Sequence, residues 1–285
     1  MKKAFATLKM TYHRWSDHRP FMLSSALSYY TIFSLPALLV IIVTLAGYFF
    51  GEEAVRGEIF NQVKTVVGSE SALQIQSILK AVRIQGNNLF ATVAAIVTIF
   101  LSATAVFIQV KDSLNQIWEV EPRKQKGFKA IVYLLLTRLI TFGMVASLGF
   151  LLLVSLIITS IITALNDWLV NYLSWASSFI LKGLNLAVDI SISVLLFAFI
   201  FKLLPDTKVK WRSVWRGGFV TAVLFVVGKF LIGIYLGKTN PASPYGAAGS
   251  IIIILSWVYY SSLILFFGAA FTAVIDKPDS KKNSS

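Results

Sequence analysis

Three ionisable residues lie inside the long apolar runs of this sequence, where a charge is costly and its position is therefore informative. They are Arg138, Asp189 and Lys229. Charged side chains within a bilayer are rare and face the bundle interior, a water-filled path or an opposite charge. Asp189 and Lys229 lie at similar depth from the same side, which predicts an ion pair that either fixes helix packing or lines a substrate path. Arg138 has no acidic residue at matching depth, so it either reaches lipid phosphates at the membrane surface or holds an anionic headgroup in a cavity.

Two further apolar runs carry polar residues at helical spacing. The two sets are Ser24, Ser28 and Thr31 in the first run, and Thr98, Ser102, Gln109, Asp112 and Gln116 in the second. Polar stripes on apolar helices are expected to face the bundle interior or a wet cavity. Both stripes strengthen toward the same side of the membrane. They predict either a cavity that opens on that side or hydrogen bonds between helices without a cavity.

A turn-rich stretch, GKTNPASPYGAAGS at 237–250, separates the last two apolar runs. It contains turn-forming and small residues with few converging polar groups, which predicts a tight outer turn that enters the outer leaflet beside the Asp189–Lys229 level. The candidate residues of this outer loop are Asn240, Pro241, Pro244, Tyr245 and Gly246.

Residues suited to hydrolytic chemistry are sparse. The chain has no cysteine, and its two histidines, His13 and His18, both precede the first apolar run. It has no histidine–carboxylate spacing typical of a metal site, no nucleophile elbow and no phosphate-binding glycine loop. We therefore predict no catalytic, metal or cofactor site and no enzymatic activity.

The elements that position these residues follow from composition. The 285 residues are 56% hydrophobic and 14% charged, whereas a soluble domain carries about 25% charged residues. Several runs reach the roughly 20 apolar residues that cross a bilayer. The sequence predicts an all-α, polytopic membrane domain at 22–275, with six transmembrane helices and a short amphipathic helical segment on the outer side. The predicted spans are about 22–50, 89–110, 131–163, 183–204, 215–236 and 248–275.

The distribution of basic residues predicts the orientation of this domain. Eighteen lysines and arginines flank the spans on the side of both termini, and six flank them on the other side. Because positively charged flanks remain in the cytoplasm, both termini are predicted to be cytoplasmic. The net charge of +13 is then a topology signal, and no nucleic-acid partner is expected.

Three of the segments outside the predicted spans carry further signals. In 1–21, Phe5, Leu8, Tyr12 and Trp15 recur at helical spacing among basic residues, which favours a helix on the inner membrane surface attracted to anionic lipid. The alternative is a frayed basic terminus. Residues 52–88 are predicted to form amphipathic outer helices, and 276–285 a disordered cytoplasmic tail.

Three stretches resemble the YihY/BrkB family, and the resemblance covers nearly the whole chain. They are DHRPFMLSSALSYYTIFSLPALL at 17–39, SLNQIW at 113–118 and NPASPYGAAGSIIIILSWVYYSSLILFFGAAFTAV at 240–274. The resemblance implies a bacterial inner-membrane protein linked to envelope integrity, with some members called virulence factors. It extends to proteins once labelled ribonuclease BN, a label now regarded as a misassignment. The family supplies no agreed substrate or catalytic residues, so no residue role is carried over.

These observations lead to three functional expectations. The first is a transporter or flippase of a lipid-like or anionic amphipathic substrate, with membrane lipids and anionic headgroups as partners. The alternative is a non-transporting scaffold that binds envelope partners through 52–88. The last is a membrane-bound ribonuclease, which the scarcity of histidine and intramembrane carboxylate disfavours. The sequence does not define protein partners or an oligomeric state.

Overall fold

A computed structural model describes residues 2–67, 69–81, 89–120, 176–239 and 249–276, with three isolated helical positions between 120 and 176. The described residues form helices and no strand, which confirms the predicted all-α class. The helices are α1 (Lys2–Asp17), α2 (Pro20–Phe50), α3 (Glu52–Val67), α4 (Ser69–Ala81), α5 (Leu89–Ile117), α6 (Ala176–Leu203), α7 (Trp211–Thr239) and α8 (Gly249–Asp276).

Five of these helices are long and apolar enough to cross a bilayer, so the protein is polytopic. The five candidate spans are Pro20–Thr44, Val97–Ile117, Leu186–Leu203, Trp211–Ile232 and Ile251–Asp276. They correspond to five of the six predicted spans. The predicted span at about 131–163 lies outside the described residues, so the count of six stays a prediction.

The joint between α1 and α2 is built by two backbone features. Arg19 adopts the left-handed conformation, with φ 50° and ψ 57°, and its carbonyl accepts hydrogen bonds from the backbone N–H groups of Met22 and Leu23. Pro20 is the first residue of α2, a position that suits proline because the first N–H of a helix has no intrahelical partner. The first span therefore begins two residues earlier than predicted, and α1 leaves it at a fixed bend.

Helix α8 is central: it packs against α1, α2, α5 and α7, and α6 packs chiefly on α7. The main core contains buried side chains from five helices (α2, α5, α6, α7 and α8), the turn after α5 and the 204–210 segment. Among its fully buried members are Leu114, Trp118, Phe201, Val214 and Phe266. We call the end of the bundle near this core the polar end. It contains α1, residues 115–120, the 204–210 segment and the last turn of α8.

At the opposite end, α3 and α4 cover the bundle. Val55 of α3 and Ile75 of α4 join a second buried cluster with Leu39 and Val43 of α2 and Ile254 of α8. These helices occupy most of the predicted outer segment at 52–88, of which 82–88 lie outside the described residues. Their apolar faces are thus used against the bundle, and their other faces remain exposed.

Helices α7 and α8 approach closely because each offers a glycine opposite a threonine of the other. An added Cβ at Gly217 would lie 2.9 Å from Thr272 Cβ, and one at Gly268 would lie 2.8 Å from Thr221 Cβ. Each threonine hydroxyl donates to the carbonyl of the glycine four residues earlier in its own helix, at 2.7 Å. The hydroxyls are therefore satisfied, and small residues let the two backbones meet, as is common between membrane helices.

Candidate functional site

The structure places Asp189 and Lys229 together. Lys229 Nζ donates to Asp189 Oδ2 at 3.2 Å, between α6 and α7. Both residues fall within candidate spans, each about three residues from the end that lies away from the polar end. The side chains are nevertheless 43% exposed for Lys229 and 53% exposed for Asp189. The predicted ion pair is present, and it borders an open face of the described bundle.

The sequence of α7 explains why Lys229 faces α6. Gly218, Ala222, Phe225 and Lys229 recur every three or four residues and therefore share one face of α7. Toward the polar end this face is tight, since an added Cβ at Gly218 would lie 3.0 Å from the carbonyl oxygen of Val194. In the middle, Phe225 packs edge-to-face on Phe197 with ring centroids 5.6 Å apart. The ion pair lies one step further from the polar end, where both charges are exposed.

This pair has unused binding capacity. An ammonium group has three donors and a carboxylate about four acceptor sites, and the hydrogen bond between Lys229 and Asp189 uses one of each. Leu186 of α6 and Phe230 of α7 are 49% and 69% exposed in neighbouring turns. A cation beside exposed apolar surface can bind a molecule that carries both an anionic group and hydrocarbon.

A second group of polar contacts joins α5 to the segment after α6. Asn115 Nδ2 donates to Asp206 Oδ2 at 3.0 Å, and the Asp206 backbone N–H donates to Asn115 Oδ1 at 2.8 Å. Lys111 Nζ lies 3.0 Å from Asp206 Oδ1. The Lys210 backbone N–H donates to Asp276 Oδ1 at 3.0 Å and thereby attaches the end of α8. The polar end is a network of reciprocal contacts.

A third group attaches α1 to the same corner. Arg14 Nε donates to the Ile117 carbonyl at 2.9 Å, which satisfies an orphan carbonyl at the C-terminal end of α5. The Arg14 guanidinium also lies 3.3 Å from Glu119, and His18 Nε2 lies 4.0 Å from the same carboxylate. Glu119 adopts a left-handed φ of 55°. That conformation turns the chain at the end of α5 and brings the carboxylate to α1.

These two groups of contacts were not predictable from the sequence. The residues that form them are Arg14, His18, Lys111, Asn115, Glu119 and Asp206. Each is a polar residue near a helix end, a type that is usual on any protein surface. The only sequence signal was the SLNQIW motif, which contains Asn115 but does not indicate its partner. The motif supports the family resemblance and does not predict a contact.

The first predicted stripe lies at a packed position. Ser24 and Ser28 are buried, and Thr31 is half-buried. Ser28 Oγ donates to the Ser24 carbonyl and Thr31 Oγ1 to the Leu27 carbonyl, so both hydroxyls are satisfied within α2. These two bonds run along one helix and not between helices.

The residues of the second stripe differ in exposure along α5. Gln109 is half-buried, and its Nε2 lies 3.3 Å from Ser113 Oγ. Asp112 and Gln116 are exposed near the polar end. Asp112 thus lies close to the Lys111–Asp206 contact, on the side where the sequence predicted the stripe to strengthen.

The other predicted site residues lie outside the described residues. These are Arg138 and the outer-loop residues Asn240, Pro241, Pro244, Tyr245 and Gly246. Among the residues the structure describes, no group of three histidine, aspartate or glutamate side chains is arranged to hold a metal ion. The absence of a cofactor or catalytic site stays a prediction.

Together, the five long apolar helices define a multi-pass α-helical membrane protein. Residues 11–285 match the family described as Virulence factor BrkB, and the chain belongs to that family. The resemblance inferred from the sequence is therefore confirmed. The family description names no enzymatic activity.

The curated relatives are bacterial proteins named UPF0761 membrane protein. One from Verminephrobacter eiseniae (strain EF01-2) is 27% identical over 258 residues, which cover 88% of this chain and 58% of the relative. One from Stenotrophomonas maltophilia (strain K279a) is 24% identical over 273 residues, which cover 95% of this chain and 61% of the relative. The chain thus spans about three fifths of the length of these relatives. No solved structure matches it significantly.

Proposed function

We propose that this chain forms the membrane domain of a transporter or flippase that moves a lipid-like or anionic amphipathic molecule across the bacterial inner membrane. The observation that carries the proposal is the exposure of both charges of the Asp189–Lys229 pair within apolar helices. A pair that only fixed helix packing would gain most from burial between the helices. Charges exposed to hydrocarbon cost several kcal/mol by rough estimate, so an exposed pair favours contact with water or a polar substrate.

The chemistry of the pair suits an anionic headgroup. A phosphate oxygen can replace the Asp189 carboxylate as the partner of Lys229, and Asp189 keeps the ammonium paired when no substrate is bound. Exposed Leu186 and Phe230 offer apolar surface for hydrocarbon chains beside the charge. This arrangement favours an amphipathic anion over a small hydrophilic ion.

The test is translocation of fluorescent phosphatidylglycerol and phosphatidylcholine by the purified chain in proteoliposomes. Asp189→Asn and Lys229→Met are each expected to reduce translocation several-fold. Ser191→Ala is the matched control, because Ser191 is exposed on the same helix and its hydroxyl donates to the Ala187 carbonyl of that helix. Variants must be inserted and elute as the unmodified chain does. Translocation that is unchanged in both charge variants would contradict the proposal.

Orientation is part of the proposal: the polar end faces the cytoplasm. Support comes from the basic residues at this end, among them exposed Lys208, Lys210 and Arg212, since such residues are enriched on the cytoplasmic side. The cysteine-free chain permits a direct measurement with Lys208→Cys and Glu53→Cys. A membrane-impermeant maleimide should label position 53 in intact spheroplasts and position 208 only after permeabilisation. The opposite pattern would reverse the orientation.

A second candidate is the scaffold, and the exposed surface of the outer helices favours it. Val55 and Ile75 pack on the bundle, whereas Glu53, Lys64 and Leu73 are exposed, Leu73 by 56%. Glu53→Lys with Leu73→Gln separates the two functions. A scaffold should lose its contribution to envelope integrity while translocation is unaffected, and a transporter should tolerate both changes. Metal-dependent RNA cleavage that persisted through extensive purification would support the ribonuclease instead.

A further inference from the structure

Helix α1 is attached to the bundle along one face. Thr11 is fully buried, and Arg14 is engaged by the Ile117 carbonyl and by Glu119. Trp15 packs edge-to-face on Phe267 of α8, with ring centroids 6.0 Å apart. These contacts fix both the position of α1 and its rotation about its own axis, so the direction of its remaining faces is determined.

The face next to the attached one is apolar and uncovered. Phe5, Leu8 and Tyr12 are 74%, 52% and 57% exposed. Their spacing of three and four residues places them on one stripe of the helix, beside Trp15. The ring centroids of Tyr12 and Trp15 are 6.0 Å apart, and those of Trp15 and Phe21 of α2 are 5.7 Å apart. The exposed stripe is therefore continuous with the exposed apolar surface of the first span.

The depth of α1 identifies what covers this stripe. Phe267, which Trp15 contacts, lies nine residues before the end of α8 at Asp276. By helix geometry that is about 14 Å back along the axis. Helix α1 thus lies beside the last turns of a candidate span and not beyond them. At the same polar end, Trp211 and Trp215 of α7 are 51% and 45% exposed, as expected for aromatic residues at a membrane interface.

The charges of α1 fit an anionic surface. Lys2 and Lys3 begin the helix, and Lys9 is exposed on the far side of the apolar stripe from the attached face. Against them, Asp17 is the acidic residue of α1. An apolar stripe bordered by exposed Lys9, on a helix that begins with two lysines, is typical of a helix in the plane of the headgroups, and lysines near the surface are attracted to anionic lipid.

We infer that α1 docks its Phe5–Leu8–Tyr12 stripe into the anionic headgroup region of the same bilayer that the spans cross, and that this interfacial helix is fixed to the α5 corner by Arg14. The inference does not depend on the transport proposal, because it concerns a static surface. The occupant is lipid and not a soluble protein, since Trp15, which borders the stripe, packs on Phe267 within a candidate span.

The test uses single cysteines, for which the cysteine-free chain gives no background. Nitroxide labels are placed at Leu8→Cys and Tyr12→Cys on the stripe, and at Ala6→Cys and Asp17→Cys, both exposed on the opposite flank of α1. The full chain is reconstituted into phosphatidylcholine vesicles that contain one third phosphatidylglycerol. Power saturation then compares access of oxygen, which enters the bilayer, with access of an aqueous nickel complex.

Labels at 8 and 12 should lie about 5 to 10 Å below the lipid phosphates, whereas those at 6 and 17 should be aqueous. Equal aqueous access at all four positions would overturn the inference. The labels at positions 8 and 12 could instead be protected from both oxygen and the nickel complex, with protection that rises with protein density. That result would assign the stripe to a contact with a second copy of the chain and would also overturn the inference.

The preference of α1 for anionic lipid is tested by a separate measurement of label depth. In vesicles of phosphatidylcholine alone, the labels at 8 and 12 should lie closer to the surface, and the Lys2→Gln, Lys3→Gln, Lys9→Gln variant should show this shallower depth in both lipids. Added salt should reduce the difference between the lipids, because it screens surface charge. Identical depth in neutral and anionic vesicles for the unmodified chain would refute the role of lipid charge.

Discussion

The crossing of α7 and α8 gives a quantitative prediction of stability. Gly217→Ala places a Cβ 2.9 Å from Thr272 Cβ and 3.1 Å from its Cγ2, whereas carbon atoms pack at about 3.5 to 4.0 Å. Thr272 is fully buried and hydrogen-bonded to the Gly268 carbonyl. It cannot rotate away without leaving that bond, so the helices must separate by several tenths of an ångström or more. Such overpacking costs about 1 to 3 kcal/mol.

A matched control isolates the steric cost. Gly183 lies on α6, and an added Cβ there meets nothing within 4 Å. Both Gly→Ala changes gain helix propensity, up to about 1 kcal/mol. The difference between the two variants therefore measures the crossing alone, and Gly217→Ala should be less stable than Gly183→Ala by about 1 to 3 kcal/mol.

The measurement is the free energy of unfolding in detergent micelles titrated with dodecyl sulfate and followed by circular dichroism. Gly268→Ala should behave like Gly217→Ala, because its added Cβ would lie 2.8 Å from Thr221 Cβ. The double variant Gly217→Ala with Thr272→Gly removes the side chain that the added Cβ meets. It should recover part of the lost free energy of unfolding. If Gly217→Ala and Gly183→Ala were equally stable, the close approach of α7 and α8 would not limit packing and the reasoning would be refuted.

Three further predictions concern the polar contacts and use the same unfolding measurement. Asn115→Leu should cost about 0.5 to 1.5 kcal/mol, because it removes both exposed hydrogen bonds to Asp206, and a double-mutant cycle with Asp206→Ala should show coupling through the side-chain bond. Independent effects would contradict the reciprocal bonds. Lys229→Met and Asp189→Leu should each lower the free energy of unfolding by about 1 kcal/mol or less, as for an exposed ion pair, because the remaining charge stays accessible to water; a loss of several kcal/mol in either variant would indicate a pair that is buried from water. Arg19→Gly should be neutral or stabilising by up to about 1 kcal/mol, because glycine adopts positive φ freely, whereas a clear loss would indicate a side-chain role.

The sequence predicted the helices and one of the long-range contacts. Span positions follow from length and apolar composition, which the bilayer imposes locally on each segment. The Asp189–Lys229 contact was predictable because few charges lie inside spans, so matching their depths leaves few partners. Helix ends were less predictable. Helix α5 runs to Ile117 and not to about 110, because hydrogen bonding along a helix continues after the apolar residues stop.

The contacts of the polar end could not be predicted in this way. Arg14 meets the Ile117 carbonyl across 103 residues of chain, and Asn115 meets Asp206 across 91. Outside the hydrocarbon, polar residues are common and unpaired ones cost little, so residue type does not limit the choice of partner. The left-handed conformation of Glu119 sets the direction of the chain after α5, and no local sequence pattern indicates that direction. Only the assembled helices determine which of many polar side chains meet.

The distribution of close contacts along α7 separates a tightly packed part of the described bundle from a part where charged side chains are exposed. Near the polar end, Gly217 and Gly218 bring α7 against α8 and α6, and the neighbouring threonines are fully buried. Further along the same helix, Lys229 and Asp189 are about half exposed. A change at the glycines therefore acts through packing and should alter stability in any lipid. A change at the ion pair removes little packing, so its effect on translocation relative to its effect on unfolding decides whether this exposed pair contacts a substrate.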